Sequence, residues 1–250
     1  MTPTPADQQP KINELRELIS GIDPHEIDDL FAEVKVDTYK PKPFERLHGA
    51  ELFDRQASRL VALGYPDVSG MTEPEFLRLL GPLRPNADGR QGNDIPFVVV
   101  IPPSMVSIRE QLSLVEHDEG GVTQFLKDED LLVRSGIAIP NGPYLAKGID
   151  VGDGLRGVSP DTAVEHLIGE GRSPLTIAEG AALLIHYPHI LDFVNIHLAA
   201  TVHQSGDAID LYSYAGAVKL KRDPANRGDP RWGTPSCAER TNATEESQPL

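Results

Sequence analysis

The run IPFVVVIPP, residues 95–103, decides how this chain is read. It is β-branched through Val98, Val99, Val100 and Ile101, and prolines bound it on both sides. Branching at Cβ suits a pleated strand better than a helix. A continuous apolar run of this length, without polar alternation, reads as a strand buried on both faces. Everything recognisable before it is helical, and strands recur after it. The fold class expected is therefore α+β: N-terminal helices followed by a mixed, largely antiparallel sheet with covering helices.

Working back from that strand, NADGRQGND (86–94) is rich in turn residues. MTEPEFLRLLGPL (71–83) places Thr72 as N-cap with Glu75 three residues on, a capping box. ELFDRQASRLVALGYP (51–66) carries Leu52, Phe53, Gln56, Leu60 and Leu63 on one stripe and ends at Gly64 and Pro66. VDTYKPKPFER is a linker stiffened by Pro41 and Pro43. Two earlier helices are expected, in KINELRELISG and in DPHEIDDLFAEV, the second capped by Asp23 with Pro24 at its first position. Residues 1–10 have the composition of a disordered terminus.

Working forward, EQLSLVEHDEGG reads as a second strand, VTQFLKDEDLLV as a helix and GPYLAKGIDVGDG as a strand. SPDTAVEHLIGEG opens a helix with Ser159 and Pro160. NIHLAATVHQ, AIDLYSYA and GAVKLKR read as short antiparallel strands, followed by loop in DPANRGDPRWG. The organisation expected is a disordered 1–10, a helical region over 11–93, a mixed region over 94–240 forming one domain with those helices, and a disordered tail over 241–250.

Composition limits the chemistry. A net charge of -15 and a pI near 4.9 repel phosphate backbones and anionic headgroups, so neither nucleic acid nor a membrane surface is an expected partner. One cysteine, Cys237, precludes an internal disulfide and a cysteine-rich zinc site. The first ten residues have neither a basic nor an apolar block, which reads as cytoplasmic. No glycine-rich phosphate loop and no Gly-x-Ser-x-Gly elbow occurs, and no cofactor is expected.

The most patterned stretch is GRSPLTIAEGAALLIHYP, residues 171–188. Thr176 and Glu179 fit a capping box, an alanine- and leucine-rich body follows, and Pro188 ends the helix. Arg172, Glu179 and His186 are also the candidate ligand-binding residues. Glu179 and His186, seven apart, share a helix face about 10.5 Å apart, too far to hold one metal ion but within the span of a substrate. Arg172 would supply a fork for carboxylate or phosphate.

Three segments, FDRQASRLVALGYP, GRSPLTIAEGAALLIHYP and WGTPSCAER, resemble an actinobacterial family of uncharacterised proteins, a domain of unknown function. The resemblance runs from about residue 50 to residue 240. The family's Arg-x-Pro-Leu-Thr-x-x-Glu-Gly motif maps onto Arg172, Pro174, Leu175, Thr176, Glu179 and Gly180, with His186 and Pro188 at its end. A tryptophan-rich stretch before the final Ser-Cys-Ala is reduced here to Trp232. The resemblance implies no activity.

His186, His189, His197 and His203 form a C-terminal group, but HYPH is broken by Pro188 and lacks the glutamate of a zinc-protease helix, so no metal site is expected. Cys237 is a nucleophile if a histidine serves it and a small apolar plug if it is packed; the plug is the reading preferred here. Two functions follow. The first is a non-catalytic protein that binds a partner or a small ligand. The second is a hydrolase or transferase using the Arg172/Glu179/His186 face or Cys237.

Overall fold

A computed structural model describes residues 47–87, 95–115, 122 and 126–242. The helices expected in 11–36 lie outside the described residues. The expected class is observed: helices come first, then antiparallel sheets with helices against them.

Helix α1 spans Gly49–Ala62 and buries Leu52, Phe53, Gln56, Ala57 and Leu60. Gly64 ends it in the left-handed conformation (φ 82°), which a glycine adopts without steric cost. A single-turn α2 (Tyr65–Val68) and α3 (Glu73–Leu80) follow, the latter opened by the Thr72–Glu75 capping box. Strand β1 (Ile95–Val100) begins where the helical pattern stops.

Two of the expected elements are reversed. EQLSLVEHDEGG is not a strand where described: Ile108–Ser113 forms helix α4, with Ser107 as N-cap and Glu110 reaching back to it. That second capping box overrides the β-leaning composition. VTQFLKDEDLLV is not helical where described. Asp128–Asp130 makes one 3₁₀ turn and Leu131–Val133 is strand β2. Pairing with a neighbouring strand outweighs local helix propensity there.

The remaining elements are β3 (Tyr144–Ile149), α5 (Pro160–Gly169), β4 (Ser173–Pro174), α6 (Ile177–His186), β5 (Asn195–His203), β6 (Ala208–Tyr214), β7 (Ala217–Asp223), β8 (Trp232–Gly233), β9 (Ser236–Cys237) and β10 (Glu239–Asn242). The stretch expected as loop ends in β8, and Thr241 and Asn242, expected in the tail, pair with Leu145 and Tyr144; the rest of that tail lies outside the described residues. One sheet runs β1-β3-β10, all antiparallel. A second runs β2-β5-β6-β7, with β8 joining β5 in parallel. β4 and β9 form a two-stranded link.

Helix α6 sits at the centre. Every residue from Ile177 to Ile185 is buried, as expected of a helix apolar all round. It packs on β1 of the first sheet, β5 of the second and α4. Gly180 makes the β5 contact possible, because a Cβ there would overlap the buried Leu198 side chain.

Candidate functional site

The two ends of α6 differ in chemistry. At its N-terminus, Thr176 Oγ1 accepts from the Glu179 amide (3.3 Å) and Glu179 Oε2 accepts from the Thr176 amide (2.7 Å). This is the capping box that the spacing predicts. Its carboxylate, however, does more than cap. Tyr144 Oη donates to Oε1 at 2.9 Å, Arg240 Nε to Oε1 at 2.5 Å and Arg240 Nη2 to Oε2 at 2.8 Å. The Glu179 side chain is 0% exposed and that of Arg240 is 7% exposed. A buried carboxylate is tolerated only when paired and hydrogen-bonded, and here both oxygens have two donors. Arg240 also reaches Ser173 Oγ and the Pro174 carbonyl. The strand register explains the convergence. Arg240 on β10 faces Ala146 on β3, so it shares a sheet face with Tyr144 two residues away.

Burial pushes the Tyr144 hydroxyl well above its usual range, and the Glu179 charge adds to the effect. For Arg240, burial lowers the pKa but the Glu179 hydrogen bond and charge prevail, and the net direction is upward. Both groups keep their protons at any physiological pH.

Arg172 is held by architecture in the same way. Its Nε donates to Ser236 Oγ (2.8 Å) and its Nη2 to the Gly148 carbonyl (2.6 Å). Cys237 is fully buried on β9, opposite Ser173. Burial, and then the Glu179 charge, push its thiol up to about 12. A thiol so held is not a nucleophile at neutral pH. Ser236 precedes Cys237 on the same strand.

At the C-terminal end of α6, His186 lies apart from both Arg172 and Glu179, so the three candidates do not share one site. His186 borders a cavity of about 320 Å³ with Arg55, Arg59 and His189, and no acidic side chain is among its described lining residues. Arg55 and Arg59 are one helical turn apart on α1, and Arg59 Nε donates to the Ile185 carbonyl at 2.6 Å, closing the end of α6. His189 Nδ1 lies 3.2 Å from Asp192. His186 Nε2 is buried and has no hydrogen-bond partner among the described residues. Burial, and then the Arg59 charge, lower the His186 pKa to about 3, so the ring is neutral.

The other histidines disperse. His197 is buried on β5, with Nδ1 2.6 Å from Asp210 and its ring stacked on Trp232 at 5.0 Å between centroids. Lys221 Nζ covers that indole at 4.3 Å. His203 sits beside Ser205 and Arg222. Among the described residues no three His, Cys, Asp or Glu side chains gather as a metal site. No described helix is long and apolar enough to cross a membrane.

Sequence reasoning assigned no site role to Arg55, Arg59 or Arg240. The Arg55/Arg59 spacing of four was visible, but pairing it with His186 needed the tertiary fold. What the geometry defines is an α+β protein whose charged motif secures the N-terminus of a central buried helix. The chain belongs to a family of unknown function, DUF5701, whose model matches residues 59–203. That span holds Arg172, Glu179 and His186 and stops short of Arg240. No curated protein and no solved structure matches the chain.

Proposed function

We propose that this protein is a non-catalytic binding protein whose ligand is a small anion seated between Arg55, Arg59, His186 and His189. The observation that carries the reading is the charge of that cavity. In a chain of net charge -15, a space of about 320 Å³ is bordered by two arginines and two histidines, with no acidic side chain among the described lining residues and Asp192 reaching it only through His189. Guanidinium forks suit carboxylate and phosphate oxygens. The unpaired His186 Nε2 can donate or accept, depending on tautomer. His186 is thus the one sequence candidate retained as a ligand contact. The hydrolase or transferase alternative is disfavoured because Glu179 and Arg172 are spent on structural partners and the Cys237 thiol is buried and protonated.

The test is thermal melting with phosphate, citrate and phosphorylated metabolites at constant ionic strength, followed by calorimetry. A ligand at about 100 times its Kd raises stability by about 2.7 kcal/mol. At least one anion should raise Tm, and Arg55→Glu, at an exposed position, should remove the rise while leaving the unliganded Tm unchanged. Equal melting with every anion would overturn the proposal.

A further inference from the structure

From a different part of the molecule, we infer that the outer edge of β2 is a docking site for an extended peptide segment of a partner protein, one carrying an aliphatic anchor flanked by lysine or arginine. Three observations meet there. The first is the hydrogen-bonding phase of β2. Gln204 N donates to Asp130 O at 2.8 Å and Arg134 N to Ala200 O at 2.9 Å. Residues 130, 132 and 134 therefore turn their backbone groups toward β5. Leu131 and Val133 turn theirs outward, with no partner among the described residues.

The second is composition. Leu132 and Val133 are 50% and 48% exposed, the longest consecutive stretch of exposed large apolar side chains among the described residues. Proteins normally guard a sheet edge with charge. β7, at the other end of this sheet order, does so with Lys219, Lys221 and Arg222. β2 carries no charge at all.

The third is a pocket of about 110 Å³ on the Leu131/Val133 side, walled also by Ile108, Ile139 and Ile177. Its polar neighbours are occupied. Tyr144 bonds Glu179, Thr201 Oγ1 accepts from the Ile177 amide, and Asp128 accepts from the Ile108 amide. The pocket therefore asks for a single apolar side chain. A strand edge with free main-chain groups and a pocket for one alternate side chain is the arrangement of strand addition. Charge complementarity sets the flank beside the start of β2, where Asp128, Glu129 and Asp130 run directly into the strand, while Arg134 at its other end is paired with Asp161. The site is separate from the anion cavity and does not depend on it.

The test is fluorescence anisotropy with a labelled hexapeptide, Lys-Val-Thr-Leu-Thr-Lys. Three modified peptides accompany it: central leucine replaced by aspartate, both lysines by glutamate, and alternate amides N-methylated. The parent should bind, and each modification should weaken binding at least about tenfold. Val133→Lys should weaken it similarly, and Arg55→Glu should not. If Val133→Lys does not fold, the N-methylated peptide still decides the main-chain role. Absence of parent binding, or equal binding by all four peptides, would refute the inference. So would a concentration-dependent dimer abolished by Val133→Lys, since the occupant would then be a second copy of this chain.

Discussion

Cys237 shows how a single side chain is read twice. From its neighbours it is either a nucleophile or a plug. In the fold it is fully buried, with its thiol held up to about 12 by burial and by Glu179. Reaction with a thiol reagent at pH 7 should therefore be slow in the native protein and rise sharply in denaturant. Rapid native labelling would remove the plug reading. Gln56 gives the complementary lesson. It falls on the apolar stripe of α1, and the sequence offers no reason for an amide there. In the structure its Nε2 donates to Phe97 O (2.9 Å) and its Oε1 accepts from Val99 N (2.8 Å). The amide satisfies the open edge of β1, a role invisible without knowing which strand lies beneath.

Among the elements, α6 and β10 are joined by the Glu179–Arg240 pair. Removing one partner of a buried ion pair leaves an uncompensated charge and costs about 3–5 kcal/mol, whereas replacing both by apolar residues of similar size is often neutral. Glu179→Gln should therefore lower unfolding free energy by that order in urea titrations, and Glu179→Met with Arg240→Met should recover most of the loss. If Glu179→Gln unfolds like the wild type, the pair does not hold the two elements together. The helices starting at Thr72, Ser159 and Thr176 were legible because caps are local, side chain to nearby amide. β1, β3 and β5–β7 were legible from apolar or alternating runs. α4 and β2 were misread because each is short: a six-residue helix and a three-residue strand carry too little periodicity to outweigh composition. The candidate site was half legible. Glu179 was placed correctly as a cap, but its charge partner lies 61 residues on and no spacing rule reaches that far.

For the molecule as a whole, buried ionisable groups set a pH window of stability. Unfolded, His186 takes up a proton below its ordinary 6.5, while the folded ring stays neutral to about 3. The unfolded state then binds more protons, so this contribution is complete above 6.5 and is lost as the pH falls. On the alkaline side the folded Cys237 thiol keeps its proton to about 12 against an ordinary 9.0. That contribution is complete below 9.0 and is lost as the pH rises, followed by those of Tyr65 and Tyr144, both shifted upward by burial. Asp210, also shifted upward by burial, opposes the acid loss. Tm should plateau between about 6.5 and 9. His186→Gln should flatten the decline from pH 6.5 to 4.5, and an unchanged acid limb in that variant would discount the histidine. The Glu179–Arg240 pair also bears on biosynthesis. At roughly 5–20 residues per second, the 61 residues separating the partners take roughly 3–12 s to translate. Throughout that interval the emerging carboxylate has no guanidinium to meet, and β10, which completes the first sheet, has not yet been made. The ribosome must therefore deliver a chain whose central helix waits for its last strand, leaving the nascent protein exposed to chaperones and proteases until residue 240 is free.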